Sequence, residues 1–244
     1  MLKENDLEEF FVESGSILSP AAKDYLNQVR VRVRFAPPGS GTGAGGTNAG
    51  GVYPGDGKHF VDAETGKRYT HKPECMTHLV GNKLVYKDHA RIVFRGELDH
   101  LQSQIVLAQV SLSSRYSEAL ISDLEGILAF VRELLRAEVL DEPVGDLQLL
   151  GLSNAQLREQ SHNPQKYLGV KAMTLPHYSM GEGFAHLNVL RSQSRQAECA
   201  AVQAFRSGKE VSNEDVVLAL NRLSSGFHIM CCRLLSGHYD LAKL

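Results

Sequence analysis

The chain has 244 residues, which is enough for one large domain or two small ones. Its hydrophobic fraction is 43% and its formal net charge is −2, so it lacks the general basicity of nucleic-acid-binding proteins, and any anion site must be local. No stretch approaches the roughly 18 apolar residues needed to span a membrane, and the acidic N-terminus has no signal-peptide core. The four cysteines do not form a disulfide framework, so we expect a cytoplasmic protein.

The first 76 residues are expected to form two segments. Residues 1–36 form a small α/β appendage, in which Ser19 and Pro20 begin a helix and "VRVRVRF" alternates as a strand does. Residues 37–76 hold a glycine-rich, mobile loop and then "HFVDAETGKRYTH", which predicts a short hairpin.

The glycine-rich loop contains a G-x-G-x-x-G match at Gly41, Gly43 and Gly46. A dinucleotide-binding fingerprint needs a helix directly after the glycines and an acidic residue about 20 positions later. The following "TNAGGVYPGDG" cannot start a helix, so we interpret the match as a product of composition.

Residues 77–244 predict an all-α bundle with four or five helices. Apolar residues recur at helical spacing from Leu98 to Leu112, from Leu120 to Leu134 and from Val216 to Leu234. The first helix is expected to begin near Glu97, and another runs without a breaker from Phe184 to Phe205. Two further starts are predicted from capping patterns, Ser153 with Gln156 and Ser212 with Asp215.

Two of these helices carry polar stripes beside their apolar seams. One stripe holds Arg191, Arg195 and Glu198, and the other holds Asn221, Ser225 and His228. A solvated face explains such stripes, but two arginines one turn apart also suit phosphate oxygens.

A third candidate is the segment "MTHLVGNKLVYKDHARIVFRGELDH". It places Thr77, Lys83, Lys87 and Arg91 within fifteen residues, ahead of a helix that contains Asp99. The segment is either a charged surface or a phosphate-binding loop in which lysines act as point charges.

These segments together resemble the ATP:cob(I)alamin (corrinoid) adenosyltransferases of the PduO-like kind. The resemblance lies in the segment above and in "LRSQSRQAE" and "LNRLSSGFHIM". The ethanolamine-utilization branch, EutT, is more similar, because it also matches "SPAAKDYL", "LRAEVLDEPVG" and "LSNAQLREQSHNPQKYL". Six weak motifs in the same order make the resemblance specific, and it covers nearly the whole chain except the glycine-rich insert.

The resemblance implies a five-helix antiparallel bundle, usually trimeric, that binds ATP and a corrinoid between subunits. Asp99, Arg191 and Arg195 then have catalytic roles, with Asp99 pairing with Arg191 across the subunit boundary. The implied ATP-binding residues are Thr77, Lys83, Lys87, Arg91, Arg195, Glu198 and Asn221. The implied cobalamin-binding residues, in "KAMTLPHY", are Met173, Leu175 and Pro176.

The resemblance also implies the chemistry and its partners. Cob(I)alamin is itself the nucleophile, so the protein needs no catalytic triad. It attacks C5′ of ATP, and Mg²⁺ helps to balance the phosphate charge. The implied partners are a cobalamin reductase and ethanolamine ammonia-lyase, within or beside a bacterial microcompartment.

The chain departs from the family pattern at several positions. Gln196 replaces an arginine, His100 an acidic residue and Ser225 an aspartate. Thr42 to Thr47 resembles the start of the PduO-like ATP loop but lies about thirty residues before Thr77, so it is the weaker phosphate candidate. The departures leave two other interpretations open: a corrinoid or nucleotide carrier without catalysis, and a helical scaffold of a microcompartment.

A metal site is not expected. Enteric EutT relatives carry His-x11-Cys-Cys-x2-Cys, whereas the matching spacing here holds His59, His71, Lys72 and Cys75. Lysine is not a credible ligand for a soft divalent metal, so we expect an enzyme that works without one.

Overall fold

The computed structural model describes residues 9–12, 32–35, 59–146, 148–171 and 175–239, and their side chains from residue 59 onward. The chain divides into two compact units, residues 1–72 with 81–83, and residues 73–80 with 84–244. The helix predicted at Ser19, the glycine-rich loop and Met173 lie outside the described residues. The predicted domain boundaries at residues 36 and 76 stay predictions.

Within the first unit, the described residues form two strand pairs. Strand β1 (Glu9–Val12) pairs in parallel with β2 (Arg32–Phe35), which falls within the predicted alternating segment. Strands β3 (Phe60–Asp62) and β4 (Arg68–Tyr69) form the predicted antiparallel hairpin. Its turn is closed at Asp62, whose Oδ1 accepts the backbone N–H of Thr65 at 3.1 Å.

The second unit is a helical bundle, as predicted. Its long helices are α1 (Ala90–Leu112), α2 (Glu118–Leu140), α5 (Gly181–Phe205) and α6 (Glu214–Leu235). The short helices are α3 (Asn154–His162) and α4 (Pro164–Leu168). Helix α1 packs against α2 and α5, and α6 packs against α5 and α3. In the described part of the chain, no helix is both long and apolar enough to cross a membrane.

Short strand pairs lie before and between these helices, and the sequence patterns did not predict them. Strand β5 (Met76–Val80) neighbours β6 (Lys83–Tyr86) ahead of α1. Two further pairs are β7 (Gln148–Leu149) with β8 (Leu152–Ser153), and β9 (Arg206–Ser207) with β10 (Glu210–Val211). Strands of two residues are too short for an alternating pattern to reveal them.

The predicted apolar seams form the core of the bundle. Leu98, Leu124, Leu223 and Phe227 are each 0% exposed. Burying each such side chain stabilises the fold by about 1.5–3 kcal/mol. The capping box at Ser153 is also confirmed, since Ser153 and Gln156 bond each other's backbone N–H groups at 3.4 and 2.9 Å.

Two predicted helix starts were wrong. Helix α1 begins at Ala90, seven residues before Glu97, because Phe94 is also buried and extends the seam by a turn. His89 caps it, its Nδ1 accepting the N–H of Arg91 at 3.2 Å.

Helix α6 is not capped by Ser212 and Asp215, since its N-cap is Asn213, in the left-handed conformation. Ser212 Oγ instead donates to Phe205 O at 3.1 Å, and Asp215 Oδ2 accepts the N–H of Val144 at 2.7 Å. Both side chains therefore tie neighbouring segments to the start of α6, a role that a local capping pattern does not reveal.

A buried carboxylate joins α1 and α2. Glu138, whose side chain is 0% exposed, accepts from Arg91 Nε at 2.6 Å and from Arg95 Nε. Arg95 also donates to Leu79 O at 2.9 Å, which ties strand β5 to the same cluster. The cluster therefore holds strand β5 against α1 and α2.

We expect Glu138→Gln to lower the free energy of unfolding by about 3 kcal/mol, because one member of a buried ion-paired cluster is removed. The matched control is Glu133→Gln on the same helix, where the carboxylate is exposed and lies 3.7 Å from Arg136. The control should change stability by less than about 0.5 kcal/mol. Urea denaturation measures both, and equal losses would contradict the role given to Glu138.

Candidate active site

The polar stripes on α5 and α6 meet where the two helices pack. Glu198 on α5 is half-buried, and its Oε1 accepts a hydrogen bond from Asn221 Nδ2 on α6 at 3.0 Å. The helices are antiparallel neighbours, so this contact places the two stripes beside each other. Two residues predicted to bind ATP, 23 positions apart in sequence, are thus in direct contact.

The two arginines of the α5 stripe have different surroundings. Arg191 is half-buried, and its Nε and Nη2 both donate to Asn188 Oδ1, at 3.3 and 3.1 Å. Arg195, one turn later, is exposed and forms no ion pair with any described residue. Its guanidinium therefore keeps its donors available for an anionic ligand.

His228 and the adjacent cysteines lie near Arg191. Burial, together with the charge of Arg191, lowers the pKa of His228, so the imidazole is neutral at pH 7. Burial raises the pKa of Cys231 to about 12. The sequence interpretation of Cys231 and Cys232 as buried small side chains is confirmed, since they are 4% and 3% exposed.

The segment predicted as a possible phosphate-binding loop forms two strands, a turn and the start of α1 instead. Thr77 lies half-buried on β5, Lys83 is exposed at the start of β6, and Arg91 is on α1. Lys87 follows β6, and its backbone N–H donates to Cys75 O at 3.0 Å while its side chain is exposed. Strand pairing rather than glycine content therefore positions these residues.

Arg91 is engaged within the bundle. Besides Glu138 Oε1, it donates to Glu138 O at 2.8 Å and lies 3.4 Å from Asp141 Oδ1. That Arg91 binds phosphate stays a prediction. Its guanidinium would have to bind phosphate while it also keeps its ion pair with Glu138.

Asp99 and Arg191 are not neighbours in one chain. Asp99 is exposed on α1, and α1 meets α5 through Glu97 and His100, which contact Gln196 and Gln193 at 3.0 and 2.8 Å. Asp99 lies on a different side of α1 from these two residues. The predicted pair therefore needs two copies of the chain.

The residues that depart from the family pattern have other partners. Gln196 and His100 make the α1–α5 contacts just given. Ser225 Oγ donates to the backbone O of Asn221 at 3.2 Å, within α6. None of these contacts blocks the pair Glu198–Asn221.

The predicted cobalamin-binding residues are only partly described. Met173 lies outside the described residues, and Pro176 is exposed. Leu175 is 81% exposed and Tyr178 is 90% exposed, just ahead of α5. Apolar side chains this exposed are available to a large apolar ligand.

The candidate metal ligands do not gather. His59, His71 and Cys75 are all exposed. Among the described residues, no three His, Cys, Asp or Glu side chains form a group that would hold a metal ion.

The sequence analysis missed Arg222 as a site residue. The residue is buried, at 8% exposure, and Nη1 donates to Asn221 Oδ1 at 2.6 Å. The stretch "LNRLSS" places this arginine between two core leucines, which indicates a buried position, but nothing in the sequence identifies its hydrogen-bond partners.

Comparison with known proteins identifies the family of the chain. The family model for cobalamin adenosyltransferase matches residues 69–234. The chain is 29% identical to corrinoid adenosyltransferase EutT of Salmonella typhimurium, over 94% of this chain and 87% of that protein. It is 36% identical to EutT of Escherichia coli K12, over 65% of this chain and 58% of that protein.

Two solved structures share the fold. Both are variants of a PduO-type adenosyltransferase from Lactobacillus reuteri. The one complexed with cobalamin and ATP has a TM-score of 0.53 and 20% identity, over 69% of this chain and 93% of that one. The one complexed with ATP has a TM-score of 0.52 and 25% identity, over 69% and 94%. With a family model that covers most of its length and a bundle of the same architecture, the chain belongs to the cobalamin adenosyltransferase family, and it is a transferase.

Proposed function

We propose that this chain is an ATP:cob(I)alamin adenosyltransferase, which transfers the 5′-deoxyadenosyl group of ATP to the cobalt of cob(I)alamin. The observation that carries the proposal is the contact between Glu198 and Asn221, one turn from Arg195, whose guanidinium forms no ion pair within the described part of the chain. The names of the EutT relatives support a role in ethanolamine utilization, with ethanolamine ammonia-lyase as the enzyme that uses the product.

The reaction is a displacement at the ribose C5′. An electron pair of the reduced cobalt forms the bond to C5′, and the bond from C5′ to the phosphate oxygen breaks. The triphosphate leaves with its negative charge, so the protein must align the three atoms and stabilise the leaving group. Arg195 and Lys87 carry exposed cations for that purpose, and Glu198 with Asn221 holds the nucleoside end.

Mg²⁺ is proposed to enter with ATP. The described residues offer no cage of acidic side chains for it. Mg²⁺ commonly binds phosphate oxygens and keeps several waters, so such a cage is not required. The ion would offset part of the triphosphate charge.

The site is proposed to lie between copies of the chain. Among the described residues Asp99 and Arg191 form no ion pair, and Asp99 lies on a different side of α1 from the residues that contact α5. The surface of α1 beyond Asp99 exposes Val106, Leu107 and Val110 at 42%, 50% and 70%, which is an apolar face suited to a second copy. A trimer follows from the family resemblance.

The cellular setting is the last part of the proposal. The EutT names support a place with the ethanolamine-utilization enzymes. The family resemblance further implies a location in the cytoplasm or in a microcompartment, and a cobalamin reductase that supplies cob(I)alamin.

The proposal is tested by mixing the protein with ATP, Mg²⁺ and chemically reduced cobalamin without oxygen. We expect the light-sensitive absorption spectrum of a cobalt–carbon product to appear. ATP binding without any product would instead favour a carrier, and the absence of both would favour a scaffold.

Arg195→Ala and Lys87→Ala should each lower kcat/KM for ATP by about 10–100-fold, because each removes a charged hydrogen-bond donor to phosphate. The matched control is Arg132→Ala on α2, whose exposed guanidinium lies 3.8 Å from Glu125. Steady-state kinetics should give wild-type values for the control. Wild-type values for Arg195→Ala would contradict its assignment to the ATP site.

Asp99→Ala and Arg191→Ala should each be strongly impaired, and mixed oligomers of the two should recover about a quarter of wild-type activity. Random mixing gives about one interface in four an intact Asp99 and an intact Arg191. Mass spectrometry of the intact assembly verifies that the chains have mixed. Mixed oligomers with no recovered activity would contradict a shared site.

A further inference from the structure

Arg222 is a buried cation whose hydrogen-bond acceptors are both amide oxygens. Its residue exposure is 8%, and it donates through Nε to Asn154 Oδ1 and through Nη1 to Asn221 Oδ1. No carboxylate forms an ion pair with it among the described residues. Burying a charge whose hydrogen bonds go only to neutral oxygens is costly, and the negative charge of Glu198 offsets part of that cost.

The contact with Asn221 is not an ordinary neighbour contact. Side chains at consecutive positions of a helix point about 100° apart and do not face each other. The distance of 2.6 Å from Nη1 to Asn221 Oδ1 therefore requires the guanidinium to turn back along α6. Asn154, the first residue of α3, holds the other edge of the guanidinium through its own oxygen.

This geometry allows only one orientation of the Asn221 amide. Arginine offers only donors and an ionised carboxylate offers only acceptors. Asn221 must therefore turn its oxygen to Arg222 and its nitrogen to Glu198, which is the arrangement observed. One of the two Nδ2 hydrogen atoms is donated to Glu198. The other is available to an acceptor atom of a ligand.

Helix α3 is itself firmly placed. Ser153 and Gln156 close its capping box, and the helix packs against α6. Burial, and then the positive charge of Arg158 on α3, lower the pKa of Arg222, which stays charged at neutral pH. The structure thus forms a continuous series of contacts from α3 through Arg222 and Asn221 to Glu198.

We propose that Arg222, anchored by Asn154, is a positioning residue that fixes the Asn221 amide with its nitrogen toward Glu198 and the nucleotide. The inference rests on the proposed function, because it uses Asn221 as part of the ATP site. It adds that α3, which holds none of the predicted ATP-binding residues, controls ATP affinity.

Two substitutions at Asn154 test the proposal. Asn154→Ala removes the oxygen that anchors Arg222, whereas Asn154→Asp keeps an oxygen there and suits a helix N-terminus. We expect Asn154→Ala to raise both KM and the dissociation constant for ATP by about tenfold with kcat nearly unchanged, the loss expected for a charge-assisted hydrogen bond that acts on binding. Asn154→Asp should keep wild-type values, and calorimetry with ATP measures the affinity directly.

Arg222→Lys keeps the charge but cannot donate to both amides at once, so it should raise the KM for ATP as Asn154→Ala does. The matched control is Arg233→Lys on the same helix, where the half-buried arginine pairs with Asp123 at 2.9 Å. The control should leave the KM for ATP unchanged. Thermal unfolding verifies that each variant folds. If Arg222→Lys does not fold, the comparison of Asn154→Ala with Asn154→Asp tests the positioning role instead.

The double variant Asn154→Ala with Asn221→Ala should bind ATP no more weakly than Asn221→Ala alone, because both changes act through one amide. Additive losses, or equal affinities for Asn154→Ala and Asn154→Asp, would overturn the positioning role. A wild-type chain that binds ATP without forming product would remove the proposed function but leave this test in force. A wild-type chain that does not bind ATP would overturn both.

Discussion

The antiparallel packing of α5 on α6 is the constraint on which the rest of the site depends. Both helices bury an apolar seam, and the polar stripes of α5 and α6 lie along the flanks of that seam. The flanks meet at Glu198 and Asn221, and the hydrogen bond between them joins two stripes that are separate in sequence. A change in the register of the two helices would separate these residues.

The hairpin ahead of α1 depends on a second constraint, the burial of Glu138. A carboxylate with no solvent contact requires cationic partners, and Arg91 and Arg95 provide them from one face of α1. Arg95 also binds the backbone of β5, so the hairpin that leads to Lys87 is attached to the bundle through the same cluster. The ion pairs of buried Glu138 therefore help to fix the position of the exposed Lys87.

Periodicity was sufficient to predict the bundle, because its seams repeat over many turns. The start of α1 was missed because only Phe94, one turn before Leu98, extends the seam toward the N-terminus, and Gly96 interrupts the pattern between them. The flanking stripes were predictable from spacing, but the role of Arg222 was not. Its partners are Asn154, 68 positions away, and an adjacent residue that helical geometry normally turns aside. Glu138 was missed for the same reason, since its partners lie on another helix.

The proposed reaction transfers the ribose C5′ from ATP to cobalt, and an isotope label follows that atom directly. ATP labelled with ¹³C at C5′ is incubated with the protein and chemically reduced cobalamin, and the corrinoid is examined by NMR. We expect the label in a carbon bonded to cobalt, with the phosphates released from the nucleoside. A corrinoid that carries no label, from a protein that has bound ATP, would contradict it.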